Sequence, residues 1–432
     1  MGDSKDMEHD AMALRHANCL VYAKPDDGSL VNKRTLKQYQ FTTGAYTLGQ
    51  TAQCIIQSGG DAVWGPSSYV RIEYTAVDAI NWGVGSIMNI FKNVRLTHRS
   101  GEVLEYIQNA NLLAQLKTWW HTTMEDRVKL QGMIHQSQLA TVATALGEFV
   151  PAPSIDLATG KFVACVPLSY LLGVFDNQSQ YIPPNFLSGA KLELELESAV
   201  IAYKGAVASQ PAGYTFTLML DSAQIHDDVE KQLIDEQADV AGSGIQFTYS
   251  TYFNSYNTFA NSGVNFDVQQ SASKTQKAIA AIRATASLTG GAAQAADSFL
   301  TKSTAVSYQW RLGSQYFPQQ ILKLPDPVSG QQEAYAISQQ AWQDFPHQFQ
   351  GKLVGGVALG YGGFSIATNQ AACYATTLEK SASGLQLSGE PTNNSRILNL
   401  NMEKDAVSDQ IDVYLQYYRV ANVMGQNLIV DR

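Results

Sequence analysis

Three glutamates with a spacing of two residues, Glu193, Glu195 and Glu197, are the groups in this sequence best placed to do chemistry. Residues at positions i, i+2 and i+4 of a strand share one face, so the spacing predicts a row of carboxylates. Two carboxylates that face each other across a groove can act as the acid and the nucleophile or base of a glycoside hydrolase. Such a pair also needs a cleft lined with aromatic residues, which the sequence does not indicate. A solvated sheet face is the simpler interpretation.

The histidines and glycines lack the spacings of metal, phosphate or nucleotide sites. His226-Asp227-Asp228 offers metal-binding groups, but it fits a surface loop after a strand better. Gly83-Val84-Gly85 is too short for a dinucleotide loop, and the glycine-dense segment 355–363 lacks the Lys-Ser/Thr of a phosphate-binding loop. No HxxxH or HExxH pair occurs among the histidines, which are His9, His16, His98, His121, His135, His226 and His347. We predict no catalytic, cofactor-binding or metal-binding residue, and no enzyme.

Charged residues are scarce, at 16% of the 432 residues, against about 25% in an ordinary soluble domain. A chain with so few charges is expected to bury part of its surface against other copies of itself. The net charge of −9 does not favour nucleic-acid binding, which usually requires a basic face or arm. The basic cluster Lys33, Arg34 and Lys37 fits a solvated turn better than a DNA-binding arm. We expect no direct contact with nucleic acid.

Four cysteines, Cys19, Cys54, Cys165 and Cys373, are scattered through the chain and form no CxxC pair. This pattern favours free thiols in a reducing compartment. We expect no signal peptide, because no apolar run of the kind that directs secretion occurs near the first residue. We also expect no transmembrane helix, because no stretch of 18 apolar residues is present.

Short runs of β-branched and aromatic residues alternate with turn residues, which predicts a protein built mainly of strands. The clearest strand is Lys191–Glu197, where alternating leucines and glutamates predict one buried and one exposed face. The same period of two extends over Tyr214–Leu220 and over Ile411–Tyr417. Tyr69–Tyr74 and Phe91–Thr97 are further predicted strands.

Three segments have the spacing or composition of helices. Apolar residues recur at helical spacing in Glu102–Trp120, where Glu102 and Glu105 would lie near the positive end of the helix dipole. Ser273–Ala284 and Glu333–Trp342 are the other two predicted helices. Because strands and helices do not alternate regularly, we expect helices inserted in the loops of β-sandwiches rather than a parallel α/β sheet.

The chain divides into two halves that share an order of elements: strands, an inserted helix, more strands and a closing alternating strand. No residue-level repeat relates the halves. We predict an N-terminal arm at residues 1–35, a first sandwich at 36–226, an acidic linker at 227–244 and a second sandwich at 245–432. The predicted fold class is all-β.

A succession of segments carries a family resemblance: Trp64–Tyr74, Ile90–Ile107, Phe162–Phe175, Pro183-Pro184, Leu192–Leu196, Tyr308–Gln320, Leu387–Pro391, Asn393–Ser395 and Ile411–Val420. Tyr308–Gln320 (YQWRLGSQYFPQQ) is the most specific, and Ile90–Ile107 is similar to a strand–turn–helix of the family. Taken in order over most of residues 40–430, they resemble the double-jelly-roll major capsid proteins of virophages, Polinton-like viruses and their relatives.

The resemblance implies two eight-stranded jelly rolls, and three chains forming a homotrimer with a pseudo-hexameric outline. Such capsomers would tile an icosahedral shell together with a penton protein and minor capsid proteins. The protein would lie in the virion capsid after assembly inside the host cell, with an internal membrane as a further potential partner. Trp310, Arg311 and Tyr316 could lock neighbouring lobes together or could be core residues.

Two other functions fit a large β-protein. A carbohydrate-binding β-sandwich, such as a host-attachment lectin, would be a monomer or dimer with an aromatic-floored groove. A glycoside hydrolase would have two facing carboxylates and measurable turnover.

Overall fold

The structure is a computed structural model that describes residues 31–76, 82, 86–122, 130, 132–135, 160–177, 180–198, 202, 211–226, 231, 235, 245–285, 288, 305–323, 333–342, 373–380, 388–393, 395–424 and 427–431. Within these residues, eighteen strands form four antiparallel sheets. Three short helices join some of the strands: α1 (Ala110–Leu116), α2 (Leu168–Leu171) and α3 (Glu333–Ala341). Single helical turns lie at Ile87–Ile90, Lys117–His121 and Gly173–Asp176.

Eight strands between residues 31 and 225 form the first sandwich. They are β1 (Val31–Gln40), β2 (Thr51–Ile55), β3 (Ala62–Ala76), β4 (Phe91–Thr97), β5 (Val103–Ile107), β6 (Gly160–Pro167), β7 (Lys191–Leu196) and β8 (Ala212–Ile225). One sheet has the strand order β1-β8-β3-β6, and the other has the order β2-β7-β4-β5. The chain therefore crosses from one sheet to the other at most of its turns.

Ten strands between residues 245 and 431 form the second sandwich. They are β9 (Ile245–Phe259), β10 (Gly263–Val268), β11 (Ala272–Ala284), β12 (Ala305–Leu312), β13 (Gln315–Lys323), β14 (Tyr374–Thr377), β15 (Glu390–Thr392), β16 (Leu398–Lys404), β17 (Asp409–Met424) and β18 (Asn427–Asp431). One sheet has the order β10-β16-β12-β13. The other has the order β9-β17-β11-β14, with β15 beside β11 and β18 beside β17.

Both sandwiches follow one strand order. When β15 and β18 are set aside, the remaining strands of the second sandwich take the places of β1 to β8 in turn. Two packed four-stranded sheets connected in this way form a jelly roll. The predicted all-β fold of two jelly rolls with a few inserted helices is confirmed.

Alternating apolar residues hold the two sheets of each jelly roll together. On β7 the three leucines are buried, as the period of two predicts. On β8 the predicted face, Tyr214, Phe216, Leu218 and Leu220, is also buried. Each large apolar side chain removed from water contributes about 1.5–3 kcal/mol, so these alternating faces provide much of the energy that stabilises the sandwich.

The predicted helix Glu102–Trp120 is wrong in its first half. Val103–Ile107 is strand β5, which pairs with β4, and the helix α1 begins only at Ala110. Gly101 lies in the turn before β5 with a φ of 91°, a conformation that glycine adopts without steric penalty. Because this turn returns the chain onto β4, the backbone hydrogen bonds of the sheet outweigh the local helical pattern. The strand–turn–helix implied by the resemblance is here a strand–turn–strand followed by a helix.

The predicted helix Ser273–Ala284 is also wrong, since the segment is strand β11. Its alanines favour a helix in isolation, but β11 is paired with β17 on one edge and with β14 and β15 on the other. Residues from Ala278 to Ile282 are all buried. A strand covered on both faces has a continuous apolar run instead of alternation, which is why the sequence pattern misled. The third predicted helix, Glu333–Trp342, is confirmed as α3.

Candidate functional site

The two jelly rolls meet in a buried contact between β5 of the first and β9 and β17 of the second, called here the inter-roll contact. The carbonyl oxygen of Leu104 accepts hydrogen bonds from the Tyr249 hydroxyl, at 3.0 Å, and from the Arg419 guanidinium. Beside them, the rings of Phe186 and Phe247 pack with their centroids 5.4 Å apart. The contact therefore joins main chain and side chains of both jelly rolls.

A buried polar network centred on Asp412 forms a second part of the inter-roll contact. The Asp412 carboxylate accepts hydrogen bonds from Asn109 of the first jelly roll, at 2.7 Å, and from Arg283 of the second, at 2.8 Å. The Tyr414 hydroxyl donates to the Asn109 carbonyl oxygen, also at 2.7 Å. A buried charge needs such partners because water cannot solvate it. The network therefore favours one relative orientation of the two jelly rolls.

Glu105 of β5 is buried in the same contact. Its carboxylate accepts hydrogen bonds from the backbone N–H groups of Gly173 (3.1 Å) and Val174 (3.0 Å), and from the side chain of Thr251 in the second jelly roll. Burial raises the pKa of Glu105 from 4.5 to about 7, against the opposing effect of these hydrogen bonds and of Lys117. The sequence pattern predicts Glu105 at the start of a helix and does not predict this role, although a single acid amid apolar residues is a usable signal of a buried carboxylate.

Among the described residues, each jelly roll has one surface that no neighbouring strand covers, although the equivalent surface of the other jelly roll is buried in the inter-roll contact. By strand order β13 corresponds to β5, and β1 corresponds to β9. Strand β5 contacts β9. By contrast, Ile321 on β13 is 60% exposed, and Leu36 on β1 is 46% exposed. Gln315 occupies in β13 the register position that Glu105 occupies in β5, and it is exposed as well. The chain thus carries an uncovered counterpart of each of the two surfaces that meet in the inter-roll contact.

Two of the glutamates considered for hydrolysis lie on the outer face of β7 with partners from the sheet. Glu193 forms an ion pair with Lys191 at 2.7 Å. Glu195 accepts a hydrogen bond from Asn93 at 2.7 Å. Both side chains are partly exposed to solvent, as expected of a solvated sheet face.

The prediction that Glu197 shares this face is wrong. Strand β7 ends at Leu196, so the alternation does not continue to the next residue. Glu197 is buried, and its carboxylate accepts a hydrogen bond from Asn111 at 3.2 Å.

The basic cluster lies on strand β1 rather than in a turn. Arg34 donates to the Asp221 carboxylate, with its Nε at 2.8 Å from Oδ1, and Lys37 forms an ion pair with Asp61. Of the three cluster residues Lys33, Arg34 and Lys37, the last two are therefore neutralised within the chain.

The remaining predicted residues are placed as follows. Trp310 is fully buried in the core of the second jelly roll, whereas Arg311 and Tyr316 are exposed, so a core position is wrong for these two. His226 is exposed at the end of β8. Asp227, Asp228, Gly83-Val84-Gly85 and the segment 355–363 lie outside the described residues.

Among the described residues, no three His, Cys, Asp or Glu side chains lie close enough together to hold a metal ion. Three cysteines, Cys54, Cys165 and Cys373, are free thiols, as predicted; Cys19 lies outside the described residues. No helix in the described part of the chain has the length and apolar character needed to span a bilayer.

A search of solved structures finds this fold in viral capsids. VP54 of PBCV-1 matches with a TM-score of 0.63 at 13% identity, over 95% of this chain and 100% of the other. The Faustovirus major capsid protein matches with a TM-score of 0.58 at 9% identity, over 93% and 92% of the two chains. The mavirus major capsid protein matches with a TM-score of 0.52 at 10% identity, over 95% and 93%. The chain therefore has the double-jelly-roll fold of these proteins. No protein-family model and no curated protein matches the sequence.

Proposed function

We propose that this protein is a viral major capsid protein, which acts as a structural component of the virion capsid and assembles inside the host cell. The observation that carries the proposal is the pair of uncovered surfaces, on β1 and β13, in a chain with the double-jelly-roll fold of capsid proteins. A chain that contacts copies of itself head to tail needs two such surfaces, one for each neighbour. The low content of charged residues supports the same function.

The proposed assembly is a homotrimer. If the inter-roll contact is repeated between chains, the β13 side of one chain meets the β1 side of the next. A head-to-tail contact of this kind closes into a ring when the rotation between neighbours divides a full turn. Three chains would form a ring of six jelly rolls, which is a pseudo-hexameric capsomer suited to tiling the facets of an icosahedral shell.

Further proposed partners are neighbouring capsomers, a penton protein at the vertices and minor capsid proteins, with an internal membrane as a potential neighbour. The proposed division is an arm at 1–35, jelly rolls at 36–226 and 245–432, and a linker at 227–244, with the last residues of the arm, from Val31, continuing into strand β1. The arm is the segment proposed to tie neighbouring capsomers together.

We propose no catalytic role for the chain. The carboxylates of Glu193 and Glu195 have partners on neighbouring positions of the sheet, and Glu197 is buried. A carbohydrate-binding function is compatible with the capsid role and would use a separate surface on the second jelly roll.

Light scattering of the purified protein tests the trimer. A stable species of three times the 47.1 kDa chain mass is expected. Ile321→Glu, which places a charge on the exposed side of β13, should shift this species to the monomer. Val407→Glu is the matched control, because Val407 is a similarly exposed apolar residue in the turn between β16 and β17. A monomeric wild-type protein, or equal dissociation by both variants, would contradict the proposed assembly.

A further inference from the structure

Strands β7 and β16 occupy equivalent places in the two jelly rolls but carry different outward side chains. The sequence of β7 includes Leu192-Glu193-Leu194-Glu195-Leu196, and that of β16 includes Leu398-Asn399-Leu400-Asn401-Met402. The apolar residues of both segments are buried. On the outer faces, two carboxylates of the first jelly roll are thus replaced by two amides in the second.

On the outer face of the first jelly roll, oppositely charged side chains of the chain itself lie next to one another. Glu193 lies opposite Arg95 of β4, and Arg95 lies opposite Tyr106 of β5. The Glu193 carboxylate is 4.0 Å from the Arg95 guanidinium and 2.7 Å from the Lys191 ammonium group. The arginine of this row therefore has a carboxylate partner within the chain.

The second jelly roll has the same arginine–tyrosine row without the carboxylate. Asn399 lies opposite Arg311 of β12, and Arg311 lies opposite Tyr316 of β13. Arg311 is exposed, and it forms no ion pair within the part of the chain that the structure describes. Asp267, on the other side of Asn399, accepts a hydrogen bond from the Asn399 amide at 2.7 Å. The charge of Arg311 is therefore available to a carboxylate from outside the chain.

Six side chains of this outer face line a small, open cleft, namely Asn265, Gln309, Arg311, Tyr316, Asn399 and Asn401. Two of its amides are fixed by the protein. Asn399 donates to the Asn265 side chain, and the Gln309 amide nitrogen donates to the carbonyl oxygens of Pro318 (3.2 Å) and Gln319 (3.0 Å). Groups that are already held in place lose little conformational entropy when a ligand binds. The ring of Tyr316, 47% exposed, adds an apolar surface at the edge of the cleft.

We propose that this cleft binds a saccharide that carries a carboxylate group. The planar guanidinium of Arg311 matches the geometry of a carboxylate and can bind it through two parallel hydrogen bonds. Asn265 and Asn401 are exposed and carry both donors and acceptors, which suits sugar hydroxyls, whereas the amide N–H groups of Asn399 and Gln309 are already used within the chain. The Tyr316 ring provides an apolar face for the C–H groups of the sugar ring. A neutral sugar would leave Arg311 without its partner.

Ligand-observed NMR and calorimetric titration of the full-length protein test this proposal, with 3′-sialyllactose, a glucuronic-acid disaccharide and lactose as probes. At least one of the two acidic sugars should bind tenfold or more tightly than lactose, and the two together distinguish a sialic acid from a uronic acid. Arg311→Gln should remove the preference, and Tyr316→Ala should weaken binding of every sugar. The matched controls are Arg95→Gln and Tyr106→Ala at the equivalent positions of the first jelly roll, which should change neither.

Three results would overturn the proposal. The first is equal or absent binding of all three sugars by the wild-type protein. The second is an equal loss of affinity in the Arg311→Gln and Arg95→Gln variants. The third is an acidic peptide, such as a glutamate hexamer, that binds as tightly as the acidic sugar, which would show that the cleft recognises carboxylates alone.

Discussion

Gly173 of the first jelly roll lies so close to Ser250 of the second that a methyl group on Gly173 would overlap the Ser250 carbonyl oxygen. Two main chains approach this closely only where one residue lacks a Cβ atom. We therefore expect Gly173→Ala to force the jelly rolls apart and to lower the free energy of unfolding by about 1–3 kcal/mol. Urea unfolding followed by circular dichroism measures the effect. Gly263→Ala is the control, because a methyl group there meets open space; equal midpoints for the two variants would contradict the close contact.

The buried ion pair between Asp412 and Arg283 leads to a second prediction. Asp412→Ala leaves the Arg283 guanidinium buried without a counter-charge, and removal of one partner from such a pair costs about 3–5 kcal/mol. Replacement of both residues by apolar ones, in Asp412→Leu with Arg283→Met, should recover only part of this loss, because the buried Asn109 amide then lacks its acceptor. Glu73→Ala breaks the exposed pair between Arg71 and Glu73 and should cost at most about 1 kcal/mol. Equal destabilisation by the two alanine variants in urea unfolding would disagree with a buried network.

The stability of the inter-roll contact should depend on pH through Glu105. Because burial raises the pKa of Glu105 from 4.5 to about 7, the folded protein binds this proton more tightly than the unfolded chain does. The stability from this group is fully present below pH 4.5 and is lost as the pH rises through 7. The loss is of the order of 3 kcal/mol, at about 1.4 kcal/mol per unit of pKa.

Urea unfolding of the wild type and of Glu105→Gln between pH 4.5 and 8.5 checks this sign. The wild type should lose stability with rising pH, and the glutamine variant should lose less, because its side chain stays neutral. Glu195→Gln, at a partly exposed position on β7, should behave as the wild type. A Glu105→Gln variant that loses as much stability as the wild type over this range would contradict a raised pKa of Glu105.

The thiols of the core should be chemically inert in the folded protein. Burial raises the pKa values of Cys54 and Cys373 to about 12, so almost no reactive thiolate is present at pH 8. Iodoacetamide labelling followed by mass spectrometry should leave both residues unmodified in buffer and modify them in urea. Burial also raises the pKa of Cys165, but this thiol is only half-buried, so it should react faster than the other two. Rapid labelling of Cys373 in buffer would argue against the packing of α3 over the second jelly roll.

Strands with one buried face could be predicted from the sequence, since the period of two is a local property. Lys191–Leu196 and the strand containing Tyr214–Leu220 are examples, and their burial follows the predicted alternation. The prediction failed at β11 and β5. The helix-like composition of β11 and the helix-like spacing around β5 are local properties too. Both segments are strands because they pair with other strands, and this pairing outweighs local propensity.

The sequence by itself determined the all-β class, the division into two sandwiches and most of the strand faces that alternate between buried and exposed residues. Only the tertiary structure decided which strands are neighbours, and therefore which side chains meet. Glu105 contacts Thr251, and Asn109 contacts Asp412, because the two jelly rolls pack in one orientation. Arg311 lacks the carboxylate that Arg95 has because Asn399 occupies the register position of Glu193. Such pairings join residues far apart in the chain, and the energy that selects them comes from the packed assembly of strands rather than from any local run of residues.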